Sequence, residues 1–191
     1  MKTIVFYGSP RKQGNTKDLL DEALSVLEGE VKLVDCYKAD IAPCIDCKFC
    51  YKKKGCSIKD DMQEIYDYID ECDAVIIATP MQFGIISAPM HKVFSRLQTY
   101  WSNDFVRKVQ ADKPKKKYGA LLVTSGTSWM NMERLIEGVT EFAFGHMQAE
   151  CVGTAYAKRT DQHPAKDNKK AVRQAKYLAC RLNELCSCPS E

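Results

Sequence analysis

The segment "PCIDCKFCYKKKGC" gathers Cys44, Cys47, Cys50 and Cys56 with the spacing Cys-x2-Cys-x2-Cys-x5-Cys. Two-residue gaps let a turn aim successive sulfurs at one centre, and the fourth thiol can close the shell after a lysine-rich excursion. Tetrahedral sulfur ligation suits a four-iron four-sulfur cluster or a zinc ion; free thiols with a structural role are the plainer alternative. Lys48, Lys52, Lys53 and Lys54 would offset the negative charge of thiolates holding such a centre. Disulfides are disfavoured, because the chain has ten cysteines and no export signal, and a reducing cytosol keeps thiols free.

A second stretch with chemical content is "GSPRKQGNT". Gly8 and Gly14 permit tight backbone geometry, Ser9 and Thr16 supply hydroxyls, Arg11 supplies charge, and Asn15 stands where a helix N-cap belongs. Such a loop can envelop a phosphate at a helix N-terminus, or it can be no more than a capped helix after a flexible loop. Gly14 is followed by Asn15 and Thr16, so the Gly-Lys-Ser/Thr ending of a nucleotide triphosphatase is absent, as is G-x-G-x-x-G. No thiol lies inside the loop, which excludes a cysteine-dependent phosphatase. What remains is a site that holds a phosphate without attacking it.

These residues need a scaffold, and the hydrophobic pattern supplies one. Lys2 to Tyr7 reads as a strand, and Leu19, Leu20, Ala23, Leu24 and Leu27 follow at helical spacing. The alternation continues through "VKLVDC", the helix "MQEIYDYIDEC", the buried strand "AVIIATP" and the helix "PMHKVFSRLQTYW". "YGALLVTSG", "MERLIEGVTEFAF", "ECVGTAYA" and a basic amphipathic helix from about Ala165 to Leu185 complete it. Strands alternating with helices imply a five-stranded, doubly wound parallel α/β sheet, here expected as one domain over 1–191, with the cysteine-rich loop after strand two. Ligands of such sheets bind beyond the carboxyl ends of the strands. There "TPMQFGIISAP" offers Pro80 to Gly84, where a flat heteroaromatic ring could lie with Met81 and Phe83 excluding water, unless both are simply core residues. "TSGTSWMN" adds hydroxyls, Gly126 and Trp129 on the same rim.

Other features read more quietly. A formal charge of +3 is small, and "KPKKK" from Lys113 to Lys117 lacks the aromatics of a nucleic-acid surface, so it reads as a solvated loop and no nucleic-acid partner is expected. The opening apolar run is too short for a signal peptide or a membrane span, so a cytoplasmic chain with no membrane partner is expected. Cys36 and Cys72 border strands, Cys151 and Cys180 sit in apolar patterns typical of buried cysteine, and Cys186 and Cys188 form a frayed tail. His91, His146 and His163 have no visible acid or thiol partner and are read as surface or packing residues. Asp60 and Asp61 open a helix and complement its dipole.

"GSPRKQGNT", "ATPMQFGIISAPMHKVFSR" and "LLVTSG" together resemble the flavodoxin-like NAD(P)H-dependent FMN reductases, and "PCIDCKFCYKKKGCSIKDDM" resembles their iron-sulfur flavoprotein branch. The resemblance covers most of the chain up to about Gly126. It implies a flavodoxin-like strand order 2-1-3-4-5 and an FMN phosphate bound by Ser9, Arg11, Gly14, Asn15 and Thr16. Pro80, Met81, Gln82, Phe83 and Gly84 would border the isoalloxazine, with Thr124, Ser125 and Gly126 on its other side. Gln82 stands where these proteins often carry an aromatic. A four-iron four-sulfur cluster on Cys44, Cys47, Cys50 and Cys56 is likewise implied, as is assembly into dimers or tetramers.

The function expected is an FMN-dependent oxidoreductase passing electrons from NAD(P)H or a low-potential donor to a small acceptor, through a cluster where one is held. No catalytic side chain is required, since the flavin carries the chemistry. The alternatives are a quinone, metal or nitroaromatic reductase with an inert cysteine loop, an electron carrier with no substrate of its own but a protein redox partner, and a zinc-stabilised interaction module.

Overall fold

The computed structural model describes residues 1–109, 115–129 and 131–187. Lys113 and Pro114 of the basic run, Met130 and Cys188 lie outside the described residues. The chain runs β1 (Lys2–Tyr7), α1 (Asn15–Leu24), β2 (Glu30–Asp35), α2 (Phe49–Lys52), α3 (Met62–Glu71), β3 (Ala74–Pro80), α4 (Ala88–Arg96) and α5 (Gln98–Ser102). A π-helical turn (Asn103–Arg107) follows, then β4 (Lys117–Thr124), α6 (Met132–His146), β5 (Ala149–Ala157), a 3-10 turn (Ala165–Asp167) and α7 (Lys169–Ser187).

The five strands form one parallel sheet in the order β2-β1-β3-β4-β5, as the flavodoxin-like reading expected. Helices cover both faces, which is why the central strands are continuous apolar runs. Alternation along each strand divides the core in two. Ile4, Phe6, Val75, Ile77, Leu121 and Val123 pack with α3, α4 and α6, whereas Val5, Tyr7, Ile76, Ala78 and Leu122 pack with α1 and α7. The chain leaves β1 towards β2 on one side and returns to β3 on the other, so a crevice opens at the carboxyl ends of β1 and β3.

Several local expectations change. Gly14, not Asn15, occupies the N-cap of α1. Lys115 and Lys116 are exposed, as a solvated loop requires, but Lys117 is the first residue of β4 and buried, with its ammonium donating to Met147 O (3.2 Å). Lys115 and Lys116 pair with Asp73 and Glu150. α7 begins at Lys169 because the Asn168 side chain accepts the Ala171 N–H (3.1 Å), an N-cap that separates it from the 3-10 turn. Cys36 and Cys72 are buried as expected, but Cys180 is exposed on α7. His146 packs edge-on against Phe142, with ring centroids 4.5 Å apart. No helix among the described residues is long and apolar enough to cross a membrane.

Candidate functional site

The loop after β1 is held against α4. Gly8 N–H donates to Ala78 O (2.8 Å), and a Cβ at Gly8 would stand 2.8 Å from both Met90 Cε and Ser87 Oγ, so glycine is what lets the loop pack this closely. Tyr7 Oη donates to Arg11 O (2.6 Å) and Arg11 N–H donates to Ser9 Oγ (3.3 Å), which bends the loop back on itself. Gly14, at φ 143°, then turns the chain into α1. The first intrahelical bond runs from Asp18 N–H to Gly14 O (2.9 Å), so the amides of Asn15, Thr16 and Lys17 have no acceptor within the helix. Those amides, the positive end of α1, the Ser9 hydroxyl and the exposed Arg11 form a cradle suited to an anion.

Two side chains expected at this cradle point elsewhere. Asn15 Oδ1 accepts the Ala165 N–H (2.8 Å) and Asn15 Nδ2 donates to Thr160 O (3.4 Å), tying the loop after β5 to α1. The Thr16 and Thr124 hydroxyls share a buried hydrogen bond (2.8 Å) that braces α1 against the end of β4. Both residues border the cradle, but they serve it through backbone amides while their side chains act as struts.

The second and third rim loops adjoin the first. Pro80 lies beside Thr124 in the sheet, and Met81 N–H donates to Thr124 O (2.7 Å). Gln82 and Ile85 exchange hydrogen bonds of 2.9 and 3.1 Å around Phe83 (φ 49°) and Gly84 (φ 83°). A two-residue turn with both central residues left-handed suits glycine and strains a bulky side chain. Phe83 nevertheless occupies it, with its ring fully exposed (107%). Met81 is the residue that packs inward, receiving Tyr156 Oη at 3.4 Å. Ser125 N–H donates to Ala157 O (2.9 Å), and Ser125 Oγ donates to Thr127 O (2.7 Å). A Cβ at Gly126 would collide with the Asp161 carboxylate. Asp161 and Thr160 were not singled out from sequence; the available signal was their position after the fifth strand, at the same edge.

The cysteine loop lies between β2 and α3, and Cys44, Cys47, Cys50 and Cys56 all line one cavity. Asp46 (φ 53°) and Lys48 (φ 58°), one in each two-residue gap, take the left-handed conformation, turning the chain so that successive thiols face inward. Three sulfurs already have polar neighbours. Asp46 N–H donates to Cys44 Sγ (3.4 Å), Ser57 Oγ lies 3.2 Å from Cys47 Sγ, and Ser102 Oγ donates to Cys50 Sγ (3.2 Å). The Ser57 contact holds the exposed Cys47 thiol below its ordinary pKa. Ser95, Thr99 and Ser102, on one face of the α4–α5 segment, support the loop from beneath: Cys44 N–H donates to Ser95 Oγ (3.1 Å) and Thr99 Oγ1 to Gly55 O (3.2 Å). Among the described residues, no three His, Cys, Asp or Glu side chains converge on a point where a single ion would sit.

The family model described as NADPH-dependent FMN reductase matches residues 1–159. The chain belongs to that family. Membership makes this FMN reductase homologue a flavoprotein oxidoreductase by kind. It is 28% identical over 190 residues to an iron-sulfur flavoprotein of Archaeoglobus fulgidus, a match spanning 93% of each chain. Against the iron-sulfur flavoprotein of Methanosarcina thermophila it is 30% identical over 149 residues, 76% of this chain and 74% of the relative. A 37% identical match to an iron-sulfur flavoprotein of Methanocaldococcus jannaschii covers about half of both, 50% of this chain and 51% of the relative. In fold, the FMN reductase homologue superposes on an NAD(P)H:quinone oxidoreductase from Methanothermobacter marburgensis with a TM-score of 0.73 at 12% identity, covering 95% and 96% of the two chains. A flavodoxin from the domain Archaea gives a TM-score of 0.57 at 18% identity, covering 98% and 100%.

Proposed function

We propose that this chain is an FMN-dependent oxidoreductase that passes electrons from NAD(P)H or a low-potential donor to a small acceptor, with a four-iron four-sulfur cluster on Cys44, Cys47, Cys50 and Cys56. The observation that carries the reading is the joint presence of an anion cradle at the switch point of the sheet and four thiols lining a single cavity. Family membership supports the flavin, and relatives named iron-sulfur flavoproteins support the cluster.

In this reading Ser9 Oγ, the Arg11 guanidinium and the amides following Gly14 hold the FMN phosphate, because they present donors at the positive end of α1. Asn15 and Thr16 contribute their N–H groups, with side chains bracing the neighbouring loops. Pro80, Met81, Gln82, Phe83 and Gly84 border one side of the ring and Thr124, Ser125 and Gly126 the other, the packed Met81 keeping water from the floor. When bound, FMN supplies the hydride and single-electron chemistry that amino-acid side chains do not. The cysteine loop suits a sulfur-rich centre: polar groups on Asp46, Ser57 and Ser102 already sit beside three of the four sulfurs, and bonds of this kind stabilise charge on thiolates. Self-association belongs to the same reading, supported by the groove of about 580 Å³ between α4–α5 and α6 and by the exposed Phe105 and Phe142.

Anaerobic purification followed by an absorbance spectrum and by iron, sulfide and zinc analysis tests the proposal. Flavin bands with iron and sulfide support it in full. Flavin without metal leaves a cluster-free reductase, and a colourless zinc protein overturns it. Arg11→Ala should weaken FMN binding about tenfold, the size of one charge-assisted hydrogen bond, in a fluorescence titration. A monodisperse monomer in sedimentation would remove the self-association.

A further inference from the structure

Arg96 ends α4 with its side chain wholly buried (0% exposed). Nη1 donates to Ala42 O (2.9 Å) and Asp60 Oδ2 (2.6 Å), and Nη2 to Asp60 Oδ1 (3.2 Å) and Ile58 O (3.4 Å). Ala42 lies just before Cys44 and Ile58 just after Cys56, so one guanidinium grips both ends of the cysteine loop. Asp60 is fixed in turn by the N–H groups of Ala42 (3.0 Å) and Met62 (3.1 Å). A buried ion pair is weak evidence of stabilisation, since an apolar pair of like volume often does as well. Its presence here calls for a different explanation.

Three further observations point to one. Arg96 Nε is buried and has no acceptor among the described residues, a condition native structures rarely leave unexplained. Arg96 also lines the same cavity as the four thiols. Cys44, Cys47 and Cys50 each have a polar neighbour at their sulfur, and Cys56 is the member for which no such contact is seen among the described residues.

We infer that Arg96, locked by Asp60, is a positioning residue for the four-thiol centre: its fork fixes both ends of the loop and its spare Nε–H is the donor to the sulfur held by Cys56. The first half concerns the chain alone. The second rests on the cluster reading above. The Arg96–Asp60 pair carries no net charge, but a donor at the sulfur favours the more negative state of the centre, so losing that donor should move its midpoint potential downwards.

The test compares wild type with Arg96→Gln/Asp60→Asn, which removes the fork without stranding a buried charge. In metal-free protein, hydrogen exchange over residues 42–58 should accelerate about tenfold while α7 is unchanged, as expected when several charge-assisted bonds are lost locally. After anaerobic reconstitution with ferrous iron and sulfide, the midpoint of the metal centre should fall while that of the flavin stays. Arg96→Lys keeps the charge but lacks the fork and Nε–H, so it should resemble the double variant in exchange; should the double variant not fold, it carries both readouts. Unchanged exchange overturns the positioning role, and an unchanged midpoint overturns the donor role. A wild type that takes up no iron defeats the cluster reading and the donor role with it, while exchange still judges the grip on the loop.

Discussion

Asn15 separates two roles that its sequence position merges. Its side chain is tied to Ala165 N–H (2.8 Å) and Thr160 O (3.4 Å) in the loop after β5. Asn15→Ala would strand the N–H of Ala165, a fully buried residue, at about 1–3 kcal/mol, and would remove a weaker bond to Thr160. Alanine recovers a few tenths of a kcal/mol of helix propensity, too little to offset this. A net loss of about 2 kcal/mol corresponds to a fall in Tm of about 4–8 °C for a chain of this size. Flavin affinity should change little, because the backbone amide stays in place. Asn15→Asp should behave in the opposite way. It keeps the acceptor for Ala165 and stability within about 1 kcal/mol, yet it brings a negative charge to the helix end that we propose holds the phosphate, so FMN affinity should fall tenfold or more. Urea denaturation and flavin fluorescence titration of both variants give the comparison. If Asn15→Ala lost flavin affinity at unchanged stability, the side chain would face the phosphate and the assignment of its partners would be wrong.

Gly126→Ala should loosen the rim, because its Cβ meets the Asp161 carboxylate; adding Asp161→Ala should restore much of the lost stability, and a strictly additive double variant would refute the contact. The Asp60 carboxyl is pushed up by burial, but the Arg96 guanidinium and the Ala42 amide outweigh that and hold it below the ordinary range. Its folded pKa lies under the unfolded value of about 3.9, so its contribution is complete above that pH and is lost as pH falls through the folded value. Acid unfolding below about pH 4 should therefore be steeper in wild type than in Arg96→Gln/Asp60→Asn, and parallel curves would count against the pairing. In metal-free protein, iodoacetamide should reach Cys47 first and spare Cys36 and Cys72, whose thiols burial pushes up to about 12 and about 11. Ser57→Ala should slow the Cys47 reaction, and peptide mapping that found Cys36 labelled early would contradict the burial.

The parts legible in the sequence are those written in local pattern. Continuous apolar runs gave β1, β3 and β4, and the glycines of "GSPRKQGNT" gave the bend beneath the anion cradle. The spacing of Cys44, Cys47 and Cys50 likewise anticipated thiols turned to one side. The missing parts join distant residues. Asp60 reads as an ordinary helix opening until Arg96, 36 positions away, is seen against it. Asn15 looks like a cap because capping residues and tertiary struts share the same short polar side chain. Lys117 reads as solvent-facing because its neighbours are lysines, whereas register with β5 carries it into the sheet. The hydroxyls of Ser95, Thr99 and Ser102 form a row only once the helix beneath the cysteines is known.

α4 touches both centres of interest. Its first turn, at Ser87 and Met90, abuts Gly8, and its last, at Ser95 and Arg96, carries the cysteines. Nine helical residues make a rod of about 13 Å, so a single stiff spacer sets the separation and relative heading of the two loops. Lengthening that spacer by one residue would swing its lower end about 100° about its axis. Each loop would keep its own composition, yet the two would no longer hold their present relative orientation.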